Sequence, residues 1–295
     1  MSTTRRAVLG SAAAAVIPVT ASAEGAAKIR RGYIQAWTGQ VHTRSAGQRG
    51  VGQRPLLCFH PSLASGLNFV PLLADLGRDR FVLAPDTPGA GMSDPPPTPP
   101  TIADYARAMA DVADQLRLTE YDLLGAHTGS LTCVELARLR PAQVKHVVLL
   151  SAPVHTEEGL ERLRARNVVE GPDADGAFLV RSWKSQLGRR DPRAELKDVM
   201  RKFPEHLMGG DTRAWGQAAA FAYHVEQTIG LLEAPVMVLN PGGDLYDLTL
   251  AVGPLLKNGR LISRPDWRAS MLEFDTAASA DLLRDFLDRD IYPAS

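Results

Sequence analysis

The residues best suited to chemistry lie in one short segment, Gly125-Ala126-His127-Thr128-Gly129. An apolar strand pattern ends at this segment, and a helical pattern begins directly after it. A side chain at so sharp a strand-to-helix turn sits on a strained backbone, and glycines are required where any side chain would collide with neighbouring elements. The N–H of Thr128 at the helix start can stabilise an oxyanion beside the turn. His127 could therefore act as a nucleophile or as a general base.

The elements around this turn alternate between strands and helices. Two short strand patterns, joined as a hairpin at Thr38-Gly39, come first. Apolar strand runs then alternate with amphipathic helical patterns, which is typical of a mostly parallel α/β sheet with helices on both faces. The predicted strands are 32–37, 40–44, 55–60, 80–86, 121–126, 144–151, 235–240 and 259–265, and the predicted helices are 66–76, 101–116, 130–139, 246–256 and 276–289.

Between residues 152 and 232 the strand pattern disappears and the sequence becomes helical and amphipathic. A helical insertion in an open sheet lies over the carboxyl ends of the strands, where such sheets bind ligands. We therefore predict a core made of residues 24–151 and 233–295 and a helical cap, 152–232. Packing is the more common role of a single aromatic residue, but the cap residues that we expect to contact a substrate are Trp183, Tyr223 and His224.

Composition excludes several classes of function. The 295 residues contain 33 Lys and Arg and 33 Asp and Glu, so there is no basic surface of the kind that binds nucleic acid. Two cysteines cannot form a four-cysteine zinc site. No dinucleotide glycine fingerprint and no Walker loop is present in the sequence, so no organic cofactor is predicted.

Residues 1–23 have the three parts of an export signal. Arg5-Arg6 precedes a weakly apolar, alanine-rich stretch, and Ala21-Ser22-Ala23 is a small-residue cleavage site. Paired arginines at this place are typical of twin-arginine signals, which predicts a periplasmic or secreted protein. The apolar stretch is too short and alanine-rich to be a stable membrane span, and an ordinary disordered N-terminus is the alternative.

From residue 32 to the C-terminus the chain resembles the α/β-hydrolase superfamily. His60-Pro61-Ser62 stands where the family has His-Gly and an oxyanion donor. The loop from Pro85 to Asp94 matches Asp-x-x-Gly-x-Gly-x-Ser, residues 125–129 match the nucleophile elbow, and residues 240–244 match the turn that carries the acid. The resemblance implies an α/β-hydrolase fold with an eight-stranded, mostly parallel sheet and a helical cap.

Two positions depart from the family pattern. The elbow carries His127 where the family has Ser, Asp or Cys, and Ala269 occupies the position of the catalytic base. A Ser-His-Asp triad therefore cannot be assembled in the family's manner. Arg268, beside Ala269, could also pair with the surviving acid and quench its charge.

The resemblance implies the other site residues. Asp244 matches the family's acid and would orient His127, while the N–H groups of Thr128 and of Ser62 or Leu63 would form the oxyanion hole. His60 and Trp267 complete the predicted substrate-binding set. The side chains of His60, Asp86, His127 and Asp244 are of types that bind metals, but the family aspartate at position 86 holds its own glycine loop, so no metal is predicted.

Two functional hypotheses follow. The first is an exported hydrolase that acts on a small, apolar ester, lactone or related carbonyl compound beneath the cap, with His127 as nucleophile or base. The second is a catalytically inactive homologue that binds a small ligand or a partner protein, or a lyase or isomerase on the same fold. The altered elbow and Ala269 favour the second hypothesis, whereas the acid turn, the elbow glycines and the cap favour the first.

Overall fold

A computed structural model describes residues 25–167 and 173–294; the predicted export signal, residues 1–23, lies outside them. The strands are β1 Arg30–Ala36, β2 Gly39–Ala46, β3 Gln53–Phe59, β4 Arg80–Pro85, β5 Tyr121–Ala126, β6 Val144–Leu150, β7 Val236–Gly242 and β8 Gly259–Arg268. The helices are α1 Val70–Leu76, α2 Ile102–Gln115, α3 Thr128–Leu139, α4 Glu157–Arg166, α5 Ala177–Arg189, α6 Leu196–Met208, α7 Trp215–Phe221, α8 Tyr246–Leu250, α9 Met271–Phe274 and α10 Thr276–Arg289.

The eight strands form one sheet in the order β1-β2-β4-β3-β5-β6-β7-β8. Strands β1 and β2 form the predicted hairpin, and β2 pairs with β4 antiparallel. Every other pair is parallel, from β4 through β8. The predicted eight-stranded α/β sheet is confirmed, and it places the end of β5, which carries the elbow, near the middle of the sheet.

The core lies on both faces of this sheet because its central strands are apolar on both sides. One buried cluster joins α2 and α3 to the sheet, and the other joins α1, α9 and α10 to the opposite face. Helix α2 begins at a capping box in which the Thr101 hydroxyl accepts from the N–H of Asp104 at 3.2 Å. The Asp104 carboxylate accepts from the N–H of Thr101 at 2.9 Å, so two otherwise unpaired donors are satisfied.

Between β6 and β7 the described residues form helices and no strand. Helices α5 and α6 of this segment contribute residues to the cleft described below. The helix predicted at 246–256 is shorter than expected: α8 ends at Leu250 and a separate turn of 3-10 helix spans Gly253–Leu255. Pro254 lacks an N–H and disfavours α-helical backbone at the residue before it, which explains the break. No helix in the described part of the chain is long and apolar enough to span a membrane.

Candidate active site

The turn from β5 into α3 has the backbone of an exposed elbow. His127 has φ 52° and ψ −112°, in the strained region that L-residues rarely adopt. Its N–H donates to the carbonyl oxygen of Leu150 on β6 at 3.0 Å, which ties the turn to the sheet. A Cβ on Gly129 would lie 2.0 Å from the carbonyl oxygen of Phe59. A side chain at this position would push α3 away from β3, so the elbow requires the glycine.

The His127 side chain faces a cleft of about 300 Å³. Ala126, Leu150 and Leu63 line its floor, and residues of α5 and α6 line the opposite side. The imidazole is partly buried and makes no hydrogen bond to any described residue. Burial lowers the pKa of His127, and the negative charge of Asp244 opposes part of this shift. The ring is therefore held largely neutral at pH 7, with a lone pair available for attack or for proton transfer.

The predicted oxyanion donors lie beside the elbow. Thr128 is the first residue of α3, so its N–H has no acceptor within the helix. The Ser62 hydroxyl donates to the Thr128 hydroxyl at 2.8 Å, which fixes the loop after β3 against the helix start. Ser62 and Thr128 line a smaller neighbouring cavity of about 30 Å³. Leu63, with φ 64°, lines both cavities.

Asp244 lies just after β7 and is exposed. It makes no hydrogen bond with His127, so within the described residues its influence on the imidazole is that of a nearby charge. Arg268 is exposed as well, and no ion pair joins it to Asp244 in the described part of the chain. Ala269 lines the cleft, where its methyl group can transfer no proton.

Comparison with known proteins agrees with this geometry. The sequence profile of the family described as alpha/beta hydrolase fold matches residues 54–174. An enol-lactonase from Burkholderia xenovorans LB400 superposes with a TM-score of 0.68 at 20% identity, over 88% of this chain and 100% of that one. A thermophilic esterase from Thermogutta terrifontis superposes with a TM-score of 0.68 at 18% identity, over 88% of this chain and 98% of that one. The chain has the α/β-hydrolase fold.

A curated sequence relative is also similar to this chain. The uncharacterized carboxylesterase nap of Bacillus subtilis (strain 168) is 29% identical over 120 residues. That match spans 40% of this chain and 39% of the relative, so it covers well under half of either protein.

His60 is close to the elbow, but both of its ring nitrogens form hydrogen bonds within the fold. Its Nδ1 donates to the carbonyl oxygen of Pro61 at 2.8 Å, and its Nε2 accepts from the N–H of Thr87 at 2.9 Å. The ring is buried, and burial lowers its pKa, so it stays neutral. Both ring nitrogens are used to hold the loops that follow β3 and β4.

The other four predicted substrate-binding residues do not line the cleft. Trp183 packs edge-on against Phe203, with ring centroids 5.3 Å apart. The Tyr223 hydroxyl donates to Glu135 of α3 at 3.1 Å. His224 pairs with its neighbour Glu226. Trp267 lies beneath the Arg264 guanidinium and borders a separate groove of about 500 Å³.

A buried polar network, which was not predicted from the sequence, links the floor of the cleft to α6. Arg44 on β2 donates to Asp86 at 2.8 Å and to Glu205 at 2.5 Å. The Ser65 hydroxyl also contacts Glu205, and His42 contacts Asp86 through Nδ1 at 2.8 Å. The sequence does contain a pattern that could have predicted this network: His42 and Arg44 are alternate residues and therefore lie on one face of β2. Charged side chains that face inward from a strand need a buried partner.

The pKa values of the two carboxylates in this network are shifted in opposite directions. Burial alone would raise the pKa of Asp86, but the hydrogen bond from His42 and the charge of Arg44 hold it below its usual value. Burial raises the pKa of Glu205, with the nearby Asp86 charge adding to the shift and Arg44 opposing it.

The side of the cleft formed by α5 and α6 is polar and charged. Lys202 of α6 forms an ion pair with Glu273 of α9 across the cleft. Glu205 and His206, next to each other on α6, also line it. Asp86 is occupied by the network above, and no group of three or more His, Cys, Asp or Glu side chains in the described residues could hold a metal ion.

Proposed function

We propose that this α/β-hydrolase hydrolyses a small ester or lactone, with His127 as the nucleophile. One observation carries the proposal: an imidazole without a hydrogen bond to any residue that the structure describes stands at the tip of a strained elbow, faces the 300 Å³ cleft and adjoins a helix N–H that has no acceptor within the helix. A cleft of this volume has the size of a small-molecule site. The similar proteins, an enol-lactonase, an esterase and a carboxylesterase, support the same reaction class.

In the proposed first step, a ring nitrogen of neutral His127 attacks the carbonyl carbon of the substrate. The electron pair of the C=O bond moves onto oxygen, where the N–H groups of Thr128 and Ser62 stabilise the oxyanion. When this intermediate collapses, the bond to the leaving oxygen breaks and the alkoxide takes the proton from the other ring nitrogen of His127. The products of this step are a free alcohol and an acyl-imidazole, which reacts readily with water.

In the proposed site, Asp244 favours the cationic ring that exists during attack, because an opposite charge lowers the energy of an imidazolium. The apolar floor of Ala126, Leu150 and Leu63 would hold the acyl part of a small, apolar substrate. The polar groups of α5 and α6 would contact its leaving group or its carboxyl product.

A second candidate is a binding protein, or a lyase or isomerase, built on the same fold. Two observations favour it: Asp244 is exposed without a hydrogen bond to His127, and Ala269 replaces the base. Such a protein would bind a small carbonyl compound in the cleft without hydrolysing it.

The deciding experiment measures hydrolysis of chromogenic short-chain esters and of lactones by residues 24–295, with His127→Ala alongside. We expect activity in the wild type, its loss in His127→Ala at an unchanged melting temperature, and normal activity in His224→Ala, a control outside the cleft. Full activity in His127→Ala would refute the nucleophile. No activity across the panel, with none gained in His127→Ser/Ala269→His, would favour the second candidate.

We also propose that the protein is exported through residues 1–23. The support is the order of the paired arginines, the apolar stretch and the Ala21-Ser22-Ala23 site. The test fuses residues 1–30 to a reporter that folds in the cytoplasm. We expect the reporter to be exported, and export to be lost when Arg5-Arg6 is replaced by two lysines. A reporter that stays in the cytoplasm with both arginines present would refute the signal.

A further inference from the structure

Two of the seven histidines line the cleft, and all seven lie in the described residues. One is His127 of the elbow. The other is His206 of α6. Among the described residues, His206 is therefore the one other imidazole that could act on a substrate bound to His127. It belongs to the helical segment between β6 and β7 and not to the loop that carries Ala269.

The contacts of His206 fix its tautomer. Its Nδ1 lies 3.1 Å from the carbonyl oxygen of Leu63, and a carbonyl can only accept, so Nδ1 carries the proton. The Nε2 atom consequently keeps its lone pair. The side-chain amide nitrogen of Gln186 lies 3.3 Å from Nδ1 and 3.5 Å from Nε2, so its contact with Nε2 is long and a water or substrate can replace it.

The orientation of the His206 ring is also fixed. Phe203, three residues earlier on α6, stacks on it with ring centroids 6.4 Å apart and planes 18° apart. Leu63, which accepts the hydrogen bond, follows the predicted oxyanion donor Ser62 and has a positive φ. His206 thus couples α6 directly to the loop that borders the elbow.

The helix that carries His206 contains a proline in its interior. Pro204 lies inside α6, where it removes one helical hydrogen bond and costs about 3 kcal/mol in an unconstrained helix. The two residues directly after it, Glu205 and His206, both line the cleft. Local violations of this kind are expected where a chain positions groups for function.

We propose that His206 is the general base that completes hydrolysis, the role for which the position of Ala269 provides no group. The inference rests on the proposed function. Water attacks the acyl carbon attached to His127 while Nε2 of His206 accepts one water proton. The C–N bond then breaks, its electron pair stays on the ring nitrogen of His127, and that nitrogen takes up the proton held by His206, directly or through water. The carboxylic acid and both free imidazoles are regenerated.

A purely structural role for His206 would consist of its hydrogen bond to Leu63. The variant His206→Asn separates the two roles, because an asparagine amide can donate from the position of Nδ1 but offers no base at the position of Nε2. His224→Asn is the matched control, since His224 lies on the same segment but outside the cleft.

The experiment follows the release of p-nitrophenol from p-nitrophenyl acetate in the first seconds and at steady state, for the wild type, His206→Asn, His224→Asn and His127→Ala. For His206→Asn we expect a burst of about one equivalent per enzyme followed by a steady-state rate about 10²–10⁴ times lower than that of the wild type. Intact-mass spectrometry and peptide mapping would show the acetyl group on His127.

The possible outcomes separate the two proposals. A wild-type steady-state rate in His206→Asn overturns the base while the nucleophile stands. Loss of the burst itself in a folded His206→Asn also overturns it, because His206 would then act before the acyl group forms. Absence of turnover in the wild type, or turnover that survives in His127→Ala, removes the proposed function and the base with it.

Discussion

Both imidazoles of the cleft are held in the neutral state by their surroundings. Burial lowers the pKa of His127 against the charge of Asp244. Burial also lowers the pKa of His206, against its hydrogen bond to Leu63 and with the charges of Arg213 and Arg189 adding to the shift. A nucleophile and a base must both be unprotonated to react, so each shift widens the pH range in which the site can work.

The pH profile tests this at the level of single residues. We expect kcat/KM to be constant near neutrality and to fall with acid at a midpoint below 6.5, the ordinary pKa of histidine. Because the pKa values of both imidazoles are lowered, activity is lost only when the pH falls through these lowered values and the rings become protonated. Asp244→Asn removes the charge that opposes the shift at His127 and moves the acid limb to still lower pH. A wild-type midpoint above 7 would contradict this account.

At the scale of elements, the elbow exists because β3, β5 and α3 approach one another at two glycines. A Cβ on Gly125 would lie 2.4 Å from the carbonyl oxygen of Gly129, and one on Gly129 would meet the backbone of Phe59. The contacts are with backbone atoms, which cannot move aside as a flexible side chain would. The turn that presents His127 is thus a consequence of close packing between three elements.

Gly129→Ala measures how strongly that packing is required. We expect it to lower the free energy of unfolding by at least about 4 kcal/mol, the range of strong backbone conflicts. Gly188→Ala in α5 is the control, because nothing lies within 4 Å of its Cβ position, and we expect it to stabilise by about 0.5–1 kcal/mol. Urea unfolding compares the two. A loss below about 1 kcal/mol in Gly129→Ala would show that α3 can shift.

At the scale of the whole molecule, Arg44 joins parts of the chain that are far apart in sequence. It links β2 to Asp86 after β4 and to Glu205 of α6. Its side chain is 4% exposed and that of Asp86 is fully buried. Removing one partner of a buried ion pair leaves an uncompensated charge, which is much more destabilising than loss of a surface pair.

Arg44→Met tests this link. We expect a loss of about 3–5 kcal/mol in the free energy of unfolding, measured in urea. Adding Glu205→Gln removes one of the unpaired carboxylates and recovers part of that loss. Arg162→Met is the control, because Arg162 forms an exposed pair with Glu158, and it changes stability by less than about 1 kcal/mol. Equal effects of Arg44→Met and Arg162→Met would mean that the network contributes little.

The order of strands and helices was predictable because it depends on local patterns. The alternation of apolar strands and amphipathic helices, the hairpin at Thr38-Gly39 and the glycines of the elbow are each visible within a few residues. Two predicted helices were too long: 66–76 is α-helical only from Val70, after a turn of 3-10 helix, and the helix predicted at 246–256 ends at Leu250, before Pro254. These local patterns predict the observed elements because the sheet buries the apolar segments that they identify.

The position of the elbow was determined by the sequence alone, since strand, glycines and helix start are consecutive. The surroundings of its imidazole were decided by the tertiary structure. Asp244 is exposed, His60 is occupied by loop hydrogen bonds, and the predicted aromatic residues pack elsewhere. His206, 79 positions beyond His127, lines the cleft because α6 shares it with the ends of β5 and β6. No local pattern encodes such a meeting, which depends on how helices pack over the sheet.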